Sequence, residues 1–272
     1  MTILHLSDPH FGTERPQVVE ALVRLSAARR PRLLILSGDI TQRARRAQFR
    51  SARRFVDRLG IADVLAIPGN HDIPLFNLAA RLFAPYGNHR REFGAELEPA
   101  FESDRLLVLT LNTTRRYRHK HGEVSPEQVE RVAARLARAS ADQLRVVVTH
   151  QPVAVTLEDD RRNLLRGREH ALRCWAEAGA DLILGGHIHL PFAVPLHERE
   201  SGLPRPVWAV QAGTAVSSRI RRSVPNSVNL LRYERASTRA GERRACLLER
   251  WDYAAADGDF RQAALVELPL AQ

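Results

Sequence analysis

Asp8, His10, Asp39, Asn70, His71, Asp72, His150, His187 and His189 are the residues whose types and spacing could do chemistry. Each lies directly after a short, apolar, β-prone run. Pro68 and Gly69 end the run 62–67 abruptly, so Asn70, His71 and Asp72 must sit on the loop beyond it. Asn70 offers a neutral oxygen, His71 a ring that titrates near neutral pH, and Asp72 a carboxylate able to orient that ring. A single histidine at a strand end is ordinarily structural, and an aspartate after glycine is ordinarily a turn former. Five strand ends carrying such residues together are not explained that way. Histidine, aspartate and asparagine without thiolates form a nitrogen/oxygen ligand set suited to Mn, Fe, Zn or Co. The set is about twice what one ion needs, and Asp39, central in the order, is placed to bridge two. Two ions about 3.5–4 Å apart serve in-line attack at phosphorus by clamping the attacking and leaving oxygens. The residues therefore read as a binuclear phosphoesterase centre.

The elements that must position them alternate along the chain. Runs at 2–7, 32–37, 62–67, 105–111, 145–149 and 181–184 read as buried strands. Helices are expected from about 16, over about 45–59, from Ser125-Pro126-Glu127-Gln128 with its capping box, and near 168–178. Such alternation implies right-handed crossovers and a mostly parallel, doubly covered sheet, whose strand ends are where ligands bind. Residues 74–100 are less regular and are expected as short helices and loops over the mouth of the site. From 206 to 268 short β-prone runs follow with few helices, an expectation of hairpins completing a second, more antiparallel sheet. The fold expected is α/β, two sheets face to face with helices outside, as a single domain over 1–272.

Composition narrows the classes. No apolar run approaches the roughly 20 residues that span a bilayer. Met1 to Leu6 lacks the basic stretch of a signal peptide, and the two cysteines, Cys174 and Cys246, are too few for a disulfide framework. The expectation is a soluble, cytoplasmic chain. Its net charge of +10 rests on arginine, because Lys120 is the only lysine. That surface attracts anions: a small anionic phosphoester foremost, with peripheral anionic lipid also admitted. Nucleic acid is not favoured, since few aromatics interleave the basic stretches at 43–54, 115–121 and 219–222.

Asp8-x-His10, Gly38-Asp39, Gly69-Asn70-His71-Asp72, His150 and Gly186-His187-x-His189, in this order over residues 3 to about 190, resemble the calcineurin-like metallophosphoesterase superfamily. The resemblance implies a four-layer α/β/β/α sandwich and two metal ions, Mn or Fe first. It implies Asp8, His10, Asp39 and His189 on one ion and Asp39, Asn70, His150 and His187 on the other. It also implies attack on phosphorus by a metal-bridging hydroxide, with His71 as general acid and Asp72 holding His71. A finer similarity, through Ser7 to Gly12, Gly38 to Arg43, Gln211 to Ala215 and Asn226 to Asn229, is to the class III cyclic-nucleotide phosphodiesterases. It implies 3′,5′-cyclic nucleotides such as cAMP as substrate. Nucleic acid, a phosphomonoester or a lipid-linked pyrophosphate are the alternatives on the same machinery. A non-catalytic scaffold stands last, because no ligand position is substituted.

Overall fold

Side-chain alternation along the strands decides the layers. In the computed structural model, which describes residues 1–238 and 241–271, β1 (Thr2–Leu6), β2 (Leu33–Ser37) and β3 (Asp63–Ile67) run parallel. Helices α1 (Pro16–Arg29) and α2 (Arg46–Arg58) connect them. Leu4, Leu6, Leu34 and Leu36 pack with Val18, Leu22, Phe49 and Val56 of the two helices. Ile3, Leu33 and Ile35 point the opposite way, as the period of two requires. There they meet Leu106 and Val108 of β5 (Leu106–Thr110) and Leu144, Val146 and Val148 of β6 (Leu144–Val148). The other face of that second sheet, with Leu107, Leu109 and Val147, is covered by α5 (Pro126–Leu136) and α6 (Arg168–Glu177). Each such leucine or isoleucine contributes about 1.5–3 kcal/mol by leaving water. The result is the α/β/β/α sandwich.

Between the halves lie α3 (Leu78–Phe83), α4 (Gly87–Phe93) and the edge strand β4 (Ala100–Ser103). After β6 come β7 (Leu182–Gly185), β8 (Phe192–Pro195), β9 (Trp208–Gln211), β10 (Ser227–Thr238), β11 (Gly241–Ala254) and β12 (Asp259–Pro269). The second sheet has the order β4-β5-β6-β7-β9-β8, with β5, β6, β7 and β9 parallel. The first has the order β12-β11-β10-β1-β2-β3. This corrects the expectation for residues 206–268. Only β9 enters the second sheet; β10, β11 and β12 extend the first through antiparallel pairing of β10 with β1. The reason is burial on both faces. Val228 and Leu230 join the helix-side core while Leu231 joins the core between the sheets, so β10 fits the open edge of β1. α5 starts as its capping box predicts: Gln128 N donates to Ser125 Oγ at 3.3 Å and Ser125 N to Gln128 Oε1 at 3.0 Å.

Candidate metal centre

Register brings the strand ends level. Leu6 lies beside Leu36, Ser37 beside Ile67, Val148 beside Leu184 and Gly185 beside Gln211. The loops that follow β1, β2, β3, β6 and β7 therefore open at one edge of the sandwich. Their backbone departs from ordinary geometry there. Asp8, His10, Asp39, His187 and His189 all have positive φ, between 43° and 72°. Non-glycine residues reach that region only at a cost, and tertiary packing must hold them in it. Two glycines make the packing possible. A Cβ on Gly69 would lie 2.1 Å from Asp39 N, and one on Gly186 would lie 1.7 Å from Ser7 Oγ. Gly69 lets its loop meet the Asp39 backbone, and Gly186 leaves room for the Ser7 and Asp8 side chains.

The side chains converge accordingly. His189 Nε2 lies 3.2 Å from Asp8 Oδ1 and 3.2 Å from His10 Nε2. His10 Nε2 is 3.7 Å from both Asp8 Oδ1 and Asp39 Oδ2. His150 Nε2 is 3.3 Å from Asp39 Oδ1 and 3.3 Å from Asn70 Oδ1. Ligating atoms gather within 4.8 Å in three groups: Asp8, His10 and His189; His10, Asp39 and His71; Asp39, His150 and His187. Asp39 stands between two clusters, where one carboxylate can face two cations.

Second contacts aim the donors inward. The carbonyl of Ser37 accepts from His150 Nδ1 at 2.8 Å and that of Arg219 from His189 Nδ1 at 2.5 Å, leaving both Nε2 atoms toward the cluster. Asp8 Oδ2 accepts from His187 N at 2.8 Å, and Asp39 Oδ1 from His71 N at 2.8 Å. Both ring nitrogens of His187 are buried without a hydrogen-bond partner among the described residues. Buried polar atoms in that condition are costly unless something else binds them. Together with the donor set, they fit two divalent or trivalent cations.

The electrostatics agree. Burial opposes charge on Asp8 and Asp39, yet the neighbouring histidines hold both carboxyls below the usual range. Burial pushes His10 and His187 down to about 3, which leaves their nitrogens free to donate electron pairs. Burial also acts on His150 and His189, but Asp39 lifts the first to about 9 and Asp8 raises the second. The carboxylates draw protons onto these two rings, and cations in the same place would displace them.

His71 and Asp72 part company, against the expectation that one holds the other. His71 Nδ1 donates to the Gln42 carbonyl at 3.0 Å. Asp72 turns away into the protein. Its Oδ2 accepts from Ile40 N and Gly69 N, both at 2.9 Å, and its Oδ1 from Thr41 N and Thr41 Oγ1, both at 2.8 Å. It staples the Asp39 loop to the Asn70 loop. Burial and the Asp39 charge push its carboxyl up to about 7 against these four donors.

The cleft over the cluster has a volume of about 610 Å³. Its wall beyond the cluster includes His119, Lys120, Arg162, Asn163, Arg219 and Arg221. Arg219 is the residue that sequence reasoning could least resolve. Its Nη1 donates to Gln42 Oε1 at 2.8 Å and lies 3.2 Å from His71 Nε2. Arg221 is neutralised by Asp160 at 2.7 Å. Arg162 and Asn163 carried no sequence signal, since nothing in a short charged turn says which cleft it faces. Asn112 is a turn residue, accepting from Thr114 N and Oγ1. Residues 74–100 do not line the cleft. Pro74 to Asn77 share a separate hollow with Arg43, Arg45 and Arg46, so the expected covering of the site mouth is absent.

A sequence profile of the family described as Calcineurin-like phosphoesterase matches residues 1–191. A probable cyclic nucleotide phosphodiesterase of Rhodococcus erythropolis is 26% identical over 202 residues, covering 69% of this chain and 64% of that one. A cAMP/cGMP dual specificity phosphodiesterase of Mycobacterium tuberculosis is 27% identical over 207 residues, covering 69% and 61%. The match thus spans less than two thirds of either relative. Among solved structures, a dimetal phosphatase from Danio rerio superposes with a TM-score of 0.67 at 13% identity, covering 100% of this chain and 99% of that one. A purple acid phosphatase from Lupinus luteus gives 0.70 at 12% identity, covering 99% and 53%. At such identity these structures speak for the fold alone.

Proposed function

Because the chain belongs to the calcineurin-like phosphoesterase family, we propose that it hydrolyses phosphodiester bonds at a two-metal centre, with 3′,5′-cyclic nucleotides as the leading substrates. The observation that carries the reading is the buried cluster in which Asp39 stands between two groups of histidine and carboxylate donors. Asp8, His10, Asp39 and His189 would hold one ion, and Asp39, Asn70, His150 and His187 the other. When bound, the ions supply Lewis-acid stabilisation of charge at phosphorus and a means of activating water.

The chain's own residues do the rest. A carbonyl can only accept, so the Gln42 carbonyl keeps a proton on His71 Nδ1. Arg219 Nη1 lies against the His71 ring, 3.2 Å from Nε2 and 3.5 Å from Nδ1, so its charge sits beside the ring without occupying the in-plane lone pair of Nε2. A phosphoryl oxygen entering the cleft can take the Arg219 donor. Nε2, after taking a proton from solvent, delivers it to the leaving oxygen as general acid. Gln42 holds both partners, through its carbonyl and its side-chain oxygen.

A second reading draws on the wall of the cleft. No Phe, Tyr or Trp is among its lining residues, whereas Lys120, Arg162 and Arg219 are. A base would find no stacking platform there, and an extra anionic group would find cations. That favours another phosphoester, such as a lipid-linked pyrophosphate, on the same machinery. Assay of the Mn-loaded or Fe-loaded protein against cAMP, single-stranded DNA and a lipid pyrophosphate separates the two. Preferred turnover of cAMP is the expected outcome; no cAMP turnover in Mn²⁺ moves the substrate to the second class.

A further inference from the structure

Among the described helices, α3 is the one with no buried residue. Its sequence is Leu-Ala-Ala-Arg-Leu-Phe, and the chain enters it through Phe76. Phe76 is 80% exposed, Leu78 66%, Leu82 53% and Phe83 87%. Single exposed apolar residues need no explanation, but four large ones within eight positions form a patch that water covers at a cost. The segment is nevertheless anchored by arginine side chains that bond backbone carbonyls. Arg81 donates to the carbonyls of Pro74 and Arg118, and Arg116 donates to that of Leu82. These bonds hold the apolar side chains outward.

The frame around the patch is predominantly basic. Arg43 lies over the Phe76 ring at 5.5 Å, and Arg45 and Arg46 share the hollow beside it. Three stretches meet here: 41–56 with six arginines, 73–91 with three, and 113–122 with three and Lys120. None of the three contains an aspartate or glutamate. Asp57 neutralises Arg53, and Glu123 serves Arg115 and Arg118. Arg43, Arg45, Arg46 and Arg116 have no ion pair among the described residues.

We propose that this face docks on an anionic phospholipid bilayer, with Phe76, Leu78, Leu82 and Phe83 entering the headgroup–acyl boundary and the arginines meeting lipid phosphates. Apolar side chains ringed by cations are what binds such a surface, and each cation adds to the attraction. A second copy of the chain is the poorer occupant. A two-fold interface sets like against like, which would bring the unpaired Arg43, Arg45 and Arg46 of two copies together. The stretch 115–121 links the face to the cleft, since Arg116 and Arg118 bond the segment at α3 while His119 and Lys120 line the cleft. A bilayer seated on α3 therefore lies beside the cleft mouth, where a lipid-linked phosphoester would be presented.

The test is co-sedimentation of the full chain with vesicles of phosphatidylcholine alone or mixed with phosphatidylglycerol. Binding to the mixed vesicles, released by salt, is expected. The double variant Phe76→Ser/Phe83→Ser should lower the partition coefficient about tenfold. Arg43→Gln/Arg45→Gln/Arg46→Gln should lower it on the anionic vesicles. Because both phenylalanines are exposed, folding is not at stake. Turnover of a soluble aryl phosphodiester by the Phe76→Ser/Phe83→Ser protein should stay unchanged, which keeps this test apart from that of the phosphoesterase reading. No binding to phosphatidylglycerol vesicles, or equal binding by the serine variant, overturns the proposal. So does a dimer in light scattering that Phe83→Ser dissolves, because the patch would then belong to a second copy.

Discussion

Asp72→Asn separates two roles for one carboxylate. If Asp72 oriented His71, the change would act on turnover; the structure instead gives it the Asp39 and Asn70 loops to hold. The aspartate takes four donors, two on each oxygen. An amide keeps one oxygen, so two donors, for example Ile40 N and Gly69 N, come to face an NH₂ group. Each buried donor left without an acceptor costs about 1–3 kcal/mol, hence about 3 kcal/mol after partial relaxation. One effect opposes this. Asp39 repels the Asp72 charge, and a neutral side chain escapes that repulsion. Cations at Asp39 would cancel the repulsion, so the loss should be largest in metal-loaded protein and smaller after chelation. At about 2–4 °C per kcal/mol for chains somewhat shorter than this one, the metal-loaded melting temperature should fall by about 6–12 °C. Metal affinity should weaken about 10–100-fold, because Asp39 and Asn70 lose the contact that fixes their loops. Thermal unfolding with and without chelator, metal analysis, and nitrogen NMR of the His71 ring read all three. An unchanged melting temperature and metal content, with an altered His71 ring signal, would refute the stapling role and restore the direct contact.

Other consequences are equally concrete. Arg219→Ala should lower kcat/KM about 100-fold, the usual loss for one preorganised donor to developing charge, with bound metal unchanged because only its backbone carbonyl contacts His189; Arg219→Lys should recover part of it. Gly69→Ala should lose most of its bound metal on elemental analysis, since the new Cβ would lie 2.2 Å from Asp39 Oδ1 and force the two loops apart. His89 is buried against Phe49 and Phe93 with its pKa pushed down to about 4 by burial. The unfolded chain takes a proton there at about 6.5 and the folded one does not, so stability falls as pH drops from about 6.5 to about 4, by up to about 3 kcal/mol. Denaturant titrations of His89→Phe across that range should show a flatter pH dependence; an unchanged slope would mean other groups carry it. Chelation should lower the melting temperature of the wild type more than that of a His150→Ala/His187→Ala protein, which keeps only the ligands of the Asp8, His10 and His189 cluster, read by calorimetry.

Much of the candidate site was legible because it depends on local order. An apolar run followed by glycine and a histidine or carboxylate reports a strand end, and parallel strands put their ends together whatever the rest does. The same holds for the α5 capping box, whose partners are three residues apart. The partners of single side chains are another matter. Asp72 neighbours His71 in sequence, so adjacency suggested a pair, but the short helical turn at 70–72 sends the carboxylate into the protein and gives His71 to Gln42. Arg219 reaches His71 across a sequence separation of 148 residues, through a loop whose path depends on β9 closing beside β7. The destination of β10–β12 was likewise undecided, because alternating strands fit any open edge, and only the two-faced burial of β1 selects one. By itself the sequence determined the donor set, its order and the strands that carry it, all properties of short segments. Tertiary structure alone decided which donors face each other, which cations reach the cleft and where the last hairpins join, because those follow from packing between segments far apart in the chain.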